Sequence, residues 1–384
     1  MALEIEEHPV ESLSSGPKLC VKNFVWSEHE WPLINHDDFA DGDDIPTISL
    51  EGNLSGKPCQ DYDKVCQVMV TACEKWGFFK LVDHGVAIET VENVKVQLNE
   101  LFDLPMDQKL KGARSTSLPL GYCASNPEYG QNLPWAEILQ LLQSPQQVVA
   151  FARKVFGDQH QPFSNAMVKY MQALDKLGMK IFEMLAHGMG LPDDFFTKNF
   201  EEKEATMIRV NRYPPCPLPE KCLGVGSHSD PHTLTILLQD DVGGLQVLKS
   251  DNQWIGIRPV PNSFVINIGD TLEVTPLFFI PKQLIYTFEY WNVNLLSTLQ
   301  AWTNGRLRSV VHRAVVNKEK HRLSVAYFLS PATSAIIDCP PQLIESSTNL
   351  RKYVSFTWGE FRKELLTQKR VVGKTALNRY LISP

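Results

Sequence analysis

The sequence predicts a mainly β protein with flanking helices, and two patterns support this fold class. From Thr206 onward, short apolar runs are separated by turn signals such as Gly243-Gly244 and Asp251-Asn252. Many short strands broken by turns are typical of jelly rolls and β-sandwiches. Ahead of this region, apolar residues recur at helical spacing, most clearly over residues 162–189. The helices are therefore expected mainly before the β-rich half.

The first half of the chain mixes predicted strands and helices. In chain order, these elements are a strand at 47–50, a helix at 61–75, a strand at 78–82, and helices at 88–102 and 162–189. The helix at 162–189 has one broad apolar face that includes Phe163, Leu174 and Phe182, so this face is expected to pack in the core. Residues 111–135 are rich in Gly, Ser, Pro and Asn, which predicts a loop.

The second half is dominated by predicted strands. They are placed at 206–213, 234–239, 245–248, 254–258, 263–268, 309–316 and 322–329. The chain returns to loop at Asp338, and a last helix is expected near 358–366. The predicted organisation is an acidic, loosely ordered leader at 1–44, a helical and mixed segment at 45–200, a β core at 201–335 and a helical tail at 336–384.

The composition excludes several classes of function. The 384 residues carry a net charge of −7, which argues against nucleic acid or an anionic membrane as the main partner. The acidic first residues lack the apolar stretch of a signal peptide, and no apolar run is long enough to span a membrane. The eight cysteines are scattered without CxxC pairs. Reduced thiols and a cytoplasmic location are therefore expected.

Two histidines and one carboxylate form a candidate metal site. His228 and Asp230 lie beside the strand-like run 234–238, and His312 follows the strand-like residues 309–311. Two histidines and a carboxylate can bind one face of a metal ion and leave the opposite positions open, which suits Fe(II) that must also hold a co-substrate and O2. The alternative is that both histidines are ordinary core residues.

Ten residues after His312, the chain carries a candidate anion clamp. Arg322 and Ser324 are two positions apart in a predicted strand, so their side chains lie on the same face. A guanidinium and a hydroxyl placed in this way can bind a carboxylate. The alternative is that Arg322 belongs to a buried ion pair.

Ten segments of the chain resemble plant 2-oxoglutarate/Fe(II) dioxygenases, in the family's order. The segments in the second half are Asn211-Arg-Tyr-Pro-Pro-Cys216, Gly226-Ser-His-Ser-Asp-Pro231, 234–237, 239–247, 264–270, 303–306 and 312–316. The segments in the first half are 45–50, 76–79 and 83–85. The resemblance covers roughly residues 20 to 370. It implies a double-stranded β-helix core, which is a cupin-like jelly roll, flanked by helices.

The resemblance also implies the roles of the site residues. His228, Asp230 and His312 would hold Fe(II), with 2-oxoglutarate and O2 as co-substrates and ascorbate as a supporting reductant. Arg322 and Ser324 would bind the far carboxylate of 2-oxoglutarate, and further contacts would come from Tyr213 and Asn211. For the last two residues a purely structural role stays open.

Two further expectations concern the rest of the site and the assembly. No general acid, base or nucleophile is required beyond the metal centre, and no Ser-His-Asp signature is found. His232, which the family does not use as a ligand, is expected to lie behind the ligands or on the surface. The protein is expected to act on a small molecule as a monomer.

Residues 133–137, Leu-Pro-Trp-Ala-Glu, resemble a segment that gibberellin oxidases of the 20-oxidase-like group associate with substrate. Trp135 and Glu137 are therefore candidate substrate contacts, with core packing as the alternative for Trp135. Ala136 replaces the family's lysine, which could pair with a gibberellin carboxylate. Residues 356–363 look more like gibberellin 2-oxidases. A gibberellin-type diterpenoid acid is the favoured substrate, and a flavonoid or other specialised metabolite is the rival.

One segment departs from the family's pattern. His312 lies 82 residues after Asp230, where the family resemblance implies a spacing in the mid-fifties. The surplus of about 27 residues falls at 272–298 and is rich in aromatic and aliphatic side chains. It is either a translated intron or gene-model error, or a loop that gates the substrate. Two other hypotheses follow: a catalytically inactive scaffold, and an oxidase of the same fold that needs no 2-oxoglutarate.

Overall fold

A computed structural model gives the fold of most of the chain. The described residues are 21–40, 45–54, 61–114, 120–124, 132–202, 205–249, 252–269, 302–344, 350–367, 380 and 382. Their α-helices are α1 (Tyr62–Lys75), α2 (Ile88–Asp103), α3 (Met106–Leu110), α4 (Pro145–Phe156), α5 (Gln161–Gly188) and α6 (Trp358–Thr367). Among these residues, no helix is both long and apolar enough to cross a membrane.

The described strands fall into two large sheets and one small one. In chain order they are β1 (Thr47–Ser49), β2 (Phe78–Val82), β3 (Gly121–Cys123), β4 (Glu137–Leu142), β5 (Met207–Tyr213), β6 (Leu223–His228), β7 (Leu234–Gln239), β8 (Leu245–Leu248), β9 (Trp254–Gly256), β10 (Phe264–Ile268), β11 (His312–Val315), β12 (Arg322–Leu329), β13 (Ile336–Ile337) and β14 (Phe356–Thr357). The major sheet has the order β1-β2-β10-β7-β12-β5-β4-β3, and the minor sheet has the order β6-β11-β8-β9. Both line one cavity, which confirms the predicted jelly roll.

Strand β12 shows how the sheet separates the core from the site. All eight of its residues are buried, because the strand lies between β5 and β7 and is covered on both faces. Leu323, Val325 and Tyr327 belong to the main apolar core. Arg322 and Ser324 alternate with them and face the cavity. Because side chains alternate along a strand, these two polar side chains face the cavity, whereas the three core residues face the opposite side of the sheet.

The helices cover the outer face of the major sheet. Helix α5 packs against α1, α2 and α4 and also contacts β12 and β7. Its predicted apolar face is buried, as Phe163, Leu174 and Phe182 show. Gly178 lets the helix approach the sheet closely, since a Cβ there would lie 2.6 Å from a methyl carbon of Leu329. This packing holds the central strands of the sheet rigidly behind the cavity.

Several parts of the fold differ from the sequence-based expectation. Strand β3 lies inside the predicted loop 111–135, and α3, α4, β4 and β6 were not predicted. The expected loose order of the leader is wrong for residues 21–26, because Phe24 and Trp26 are buried against the core. Burial of these two large aromatic side chains stabilises the segment, although its overall composition is polar. The predicted insert at 272–298 lies outside the described residues.

Candidate active site

The three predicted metal ligands come together on two adjacent strands. His228 ends β6 and His312 begins β11, and the antiparallel pairing of these strands places the two histidines opposite each other. Asp230 follows two residues after His228. Its Oδ1 lies 3.6 Å from Nε2 of each histidine. One donor atom from each residue lies within 4.8 Å of the other two, a spacing that fits one shared metal ion.

Hydrogen bonds to the backbone orient both histidine rings. Nδ1–H of His228 donates to the carbonyl of Gly226 at 2.8 Å, and Nδ1–H of His312 donates to the carbonyl of Val310 at 3.1 Å. A carbonyl can only accept, so the proton sits on Nδ1 and the Nε2 lone pair faces the metal position. Burial lowers the pKa of His228 to about 4, which keeps this imidazole neutral and available as a ligand.

The carboxylate of Asp230 is held from behind by two neighbouring strands. Thr235 Oγ and Asn267 Nδ2 both donate to Oδ2 at 2.7 Å, and these two residues form a cross-strand pair of β7 and β10. Both bonds leave Oδ1 for a metal. Burial by itself would raise the pKa of Asp230, but the two nearby histidines and both hydrogen bonds lower it to about 2. The donor set therefore fits Fe(II).

The predicted anion clamp lies on the opposite wall of the same cavity. The Arg322 guanidinium donates through Nη2 to Gln239 at 2.9 Å and through Nε to the carbonyl of Val242 at 3.3 Å. It lies 5.1 Å from the centre of the Tyr213 ring. The Tyr213 hydroxyl lies 3.3 Å from Ser324 Oγ. Arg322 is thus fixed in direction, with Nη1 donating to no described residue.

Strand pairing explains why these clamp residues meet. On β5 and β12, Tyr213 pairs with Arg322 and Asn211 pairs with Ser324. Asn211 Nδ2 lies 3.5 Å from Ser324 Oγ, at the limit of a hydrogen bond. All four predicted 2-oxoglutarate contacts therefore lie on two adjacent rungs of the sheet.

The cavity that joins the triad and the clamp has a volume of about 260 Å³. Its apolar wall includes Phe78, Met207, Val225, Leu237, Leu245, Ala326 and Phe328. Its other polar residues include Gln140 and Arg209. A larger cavity of about 550 Å³ lies between residues 82–86 and 259–264, but none of the predicted site residues lines it. Chemistry, and not size, therefore identifies the site.

The two candidate substrate contacts do not reach the described wall of this cavity. Trp135 is buried in a separate apolar cluster and donates through Nε1 to the carbonyl of Pro214 at 3.0 Å. Glu137 is buried and accepts bonds of 2.6 Å from Lys109 and from the Tyr122 hydroxyl. These contacts support structural roles for both residues.

His232 lines the same cavity but is not part of the triad. Its Nδ1 lies 2.7 Å from the Ser330 hydroxyl, and its ring stacks on Phe328 at 4.5 Å. Burial lowers its pKa to about 4, so the ring is neutral. A neutral ring with these contacts is consistent with a supporting role beside the ligands.

Sequence reasoning missed four residues of the site, which are Thr235, Gln239, Asn267 and Arg209. Their positions carried a weak signal, since Asn267 is the one polar residue of the strand 264–268. An amide in a fully buried strand needs a hydrogen-bond partner. The identity of that partner could not be inferred before the strand order was known.

Comparison with known proteins agrees with the site. The chain matches the model of the 2OG-Fe(II) oxygenase superfamily over residues 205–331. It also matches the N-terminal model of non-haem dioxygenases in morphine synthesis over residues 45–162. Gibberellin 20 oxidase 1 of Arabidopsis thaliana is 35% identical over 352 residues, which cover 90% of this chain and 83% of the relative. Gibberellin 20 oxidase 1-D of Triticum aestivum is 33% identical over 348 residues, which cover 90% of this chain and 87% of the relative.

Solved structures share the fold. The crystal structure of JOX2 in complex with 2OG, Fe and JA has a TM-score of 0.73 and 29% identity, covering 97% of this chain and 96% of JOX2. The rice dioxygenase for auxin oxidation has a TM-score of 0.66 and 26% identity, and the match covers 88% of this chain and 100% of the rice protein. Together with the assembled triad, these similarities show that the chain belongs to the 2-oxoglutarate- and Fe(II)-dependent dioxygenases, with His228, Asp230 and His312 as its iron-binding residues.

Proposed function

We propose that this dioxygenase oxidises a gibberellin-type diterpenoid acid, and that Arg322, Ser324, Tyr213 and Asn211 bind its 2-oxoglutarate. The observation that carries the proposal is the placement of the clamp and the iron triad in one cavity of about 260 Å³. A co-substrate that chelates iron with one end can therefore reach Arg322 with the other. Iron, 2-oxoglutarate and O2 together supply the oxidation, in which 2-oxoglutarate becomes succinate and CO2 while oxygen is transferred to the substrate.

The clamp residues differ in what they contribute. Arg322 supplies a charged and directional donor, because Gln239 and Val242 already hold its Nη2 and Nε. Tyr213 lies beneath the guanidinium and also contacts the Ser324 hydroxyl. A carboxylate bound here would receive charge-assisted hydrogen bonds, which are stronger than neutral ones. Asn211, the cross-strand partner of Ser324, would steady the Ser324 hydroxyl.

The proposed substrate class rests on similarity and on the cavity wall. The relatives include several gibberellin 20 oxidases at 33–35% identity over about nine-tenths of this chain. The wall of the cavity offers a group of apolar side chains, with Phe78, Met207 and Phe328 among them. These apolar side chains suit a rigid hydrocarbon skeleton, and the polar residues of the same wall suit an acid group on it.

The 2-oxoglutarate site is tested by adding Fe(II) and 2-oxoglutarate to purified protein without oxygen and titrating the visible charge-transfer band. Arg322→Met should weaken 2-oxoglutarate binding by about 10- to 100-fold, because a charged hydrogen-bond donor is lost. Arg212→Met is the matched control, since this arginine lies on β5 but pairs with Asp103 outside the cavity. An unchanged titration in Arg322→Met would contradict the clamp.

The substrate class is tested by a product screen with gibberellin precursors and flavonoids, followed by mass spectrometry. The proposal expects a product of increased oxygen content from a diterpenoid acid, with stoichiometric succinate. Turnover of a flavonoid alone would assign the rival substrate class. Turnover that does not depend on added 2-oxoglutarate would contradict the co-substrate itself.

A further inference from the structure

Arg209 is a cation in the active-site cavity that the iron and 2-oxoglutarate roles do not use. On β5 the cavity-facing residues are Met207, Arg209, Asn211 and Tyr213, as the period of two requires. Arg209 pairs across the sheet with Ala326 of β12. Its side chain therefore lies one rung beyond Asn211, away from the Arg322 end of the cavity.

The guanidinium of Arg209 has an unusual lack of partners. Its Nε donates to Asn211 Oδ1 at 2.9 Å, but neither terminal nitrogen donates to a described residue. No described carboxylate lies within ion-pair distance of it. Asp230 is the one acidic side chain that influences its charge at longer range, and this carboxylate belongs to the iron site. The side chain of Arg209 is half-buried, and this burial lowers its pKa.

Two other arginines near the cavity have charged or aromatic partners in the protein. Arg212 pairs with Asp103 at 2.6 Å. Arg313 donates to Gln246 at 2.8 Å and stacks over the Trp254 ring at 4.0 Å. Arg209 has no such ion pair or ring contact among the described residues. Arg209 is thus a half-buried cation that faces the cavity and has no acidic partner among the described residues, so it is placed to bind an anion there.

We propose that Arg209 binds a carboxylate of the substrate through its two terminal nitrogens, so that the enzyme selects apolar molecules that carry an acid group. This inference rests on the proposed function and names the group that anchors its substrate. The two terminal nitrogens form the fork that matches a carboxylate in a bidentate manner. Gln140, which pairs with Arg209 from β4, lines the cavity beside it.

The position separates this anion from 2-oxoglutarate. Residues two positions apart on a strand lie about 6.6 Å apart, so Arg209 is about 13 Å along β5 from Tyr213. The 2-oxoglutarate clamp and the proposed substrate anchor therefore occupy different ends of the cavity wall. Met207 and Phe328, at the far end of the same two strands, offer apolar contact to the body of the acid.

The test compares one apolar acid with its neutral ester. Calorimetry measures the binding of ent-kaurenoic acid and of its methyl ester to the full chain, with Fe(II) and 2-oxoglutarate and without oxygen. The wild type should bind the acid about 10- to 100-fold more tightly than the ester, as expected for a charge-assisted bidentate bond. Arg209→Met should bind both equally, Arg209→Lys should keep part of the preference, and Arg212→Met should keep all of it.

Each other outcome has a distinct meaning. An acid preference that survives in Arg209→Met, or its absence from the wild type, would overturn the inference. A loss of 2-oxoglutarate affinity in Arg209→Met that equals the loss in Arg322→Met would also overturn it, by assigning Arg209 to the co-substrate. A missing charge-transfer band together with an Arg209-dependent acid preference would overturn the proposed co-substrate site and leave this anchor supported.

Discussion

Asn267 of β10 donates a 2.7 Å hydrogen bond to Oδ2 of Asp230, the carboxylate oxygen turned away from the histidines. Thr235, the cross-strand partner of Asn267, donates a second bond of the same length. Two donors on one oxygen fix the rotation of the carboxylate and direct Oδ1 to the metal. Side chains that hold a ligand from behind in this way commonly change metal affinity by about 10- to 100-fold when removed.

Thr235→Val and Asn267→Ala should each weaken Fe(II) binding by about 10- to 100-fold, because Asp230 loses one of the donors that orient it. Competition with a metal chelator measures this affinity. Thr233→Val is the matched control, since the Thr233 hydroxyl is buried without a hydrogen-bond partner among the described residues. If Thr235→Val and Thr233→Val had equal effects on iron affinity, the proposed orientation would be wrong.

The buried pair of Lys109 and Glu137 should contribute to stability. Glu137→Gln removes the counter-ion of a buried ammonium group, and this should lower the free energy of unfolding by about 3–5 kcal/mol. The double variant Lys109→Met and Glu137→Leu should regain much of the free energy of unfolding that Glu137→Gln loses. Urea denaturation measures both effects. Glu92→Gln, which breaks an exposed pair with Lys95, should cost less than about 1 kcal/mol.

The same variant tests the sequence-based role of Glu137. A substrate contact would raise KM without a change in the unfolding midpoint. A structural ion pair would lower the midpoint and leave KM of the surviving folded enzyme unchanged. The first pattern would restore Glu137 as a candidate substrate residue and contradict the structural role.

His187 should make stability depend on pH. Its ring nitrogens lie 2.8 Å from Asp63 and 3.1 Å from Asp193, and the hydrogen bond to Asp63 is the main cause that raises its pKa. The pKa of His187 is therefore higher in the folded protein than in the unfolded chain, where it is about 6.5. Protonated His187 stabilises the fold fully below about pH 6.5, and this stabilisation is lost as the pH rises through the pKa of the folded state. The Tm difference between wild type and His187→Gln should therefore be largest near pH 6 and shrink toward pH 9.

A double variant gives the control for this titration. Asp63→Ala combined with Asp193→Ala removes both carboxylates that raise the pKa of His187, and adding His187→Gln to this double variant should produce no pH-dependent change in Tm. A wild-type advantage that instead grew with rising pH would have the wrong sign and would reject the ion-pair explanation.

Deletion of residues 272–298 should raise soluble yield and turnover. This apolar segment enters the chain between Asp230 and His312, and it lies outside the described residues. A shift of about 1 Å in a ligand can cost roughly a hundredfold in rate. Soluble yield and succinate formation are compared for the full chain and the deletion. Equal values in both proteins would remove the prediction that the segment is harmful, and lower turnover in the deletion would favour a substrate-gating loop.

The sequence predicted those features that depend on local periodicity. The apolar face of α5 and the shared face of Arg322 and Ser324 follow from the repeat of a helix and of a strand. The iron ligands could be inferred because a histidine pair and an aspartate adjoin apolar strands in the family's order. The burial of Phe24 could not be predicted, since it depends on a surface that distant strands create.

By itself, the sequence determined the fold class and the chemical identity of the metal ligands, and it predicted the two residues of the proposed clamp. Only the tertiary structure decided that Asn267 holds Asp230, that Glu137 pairs with Lys109, and that Arg209 faces the cavity without an acid beside it. Each of these relationships joins residues far apart in the chain, and each depends on which strands or helices are neighbours. Strand order is set by the packing of the whole core, so no local pattern of residues can specify it.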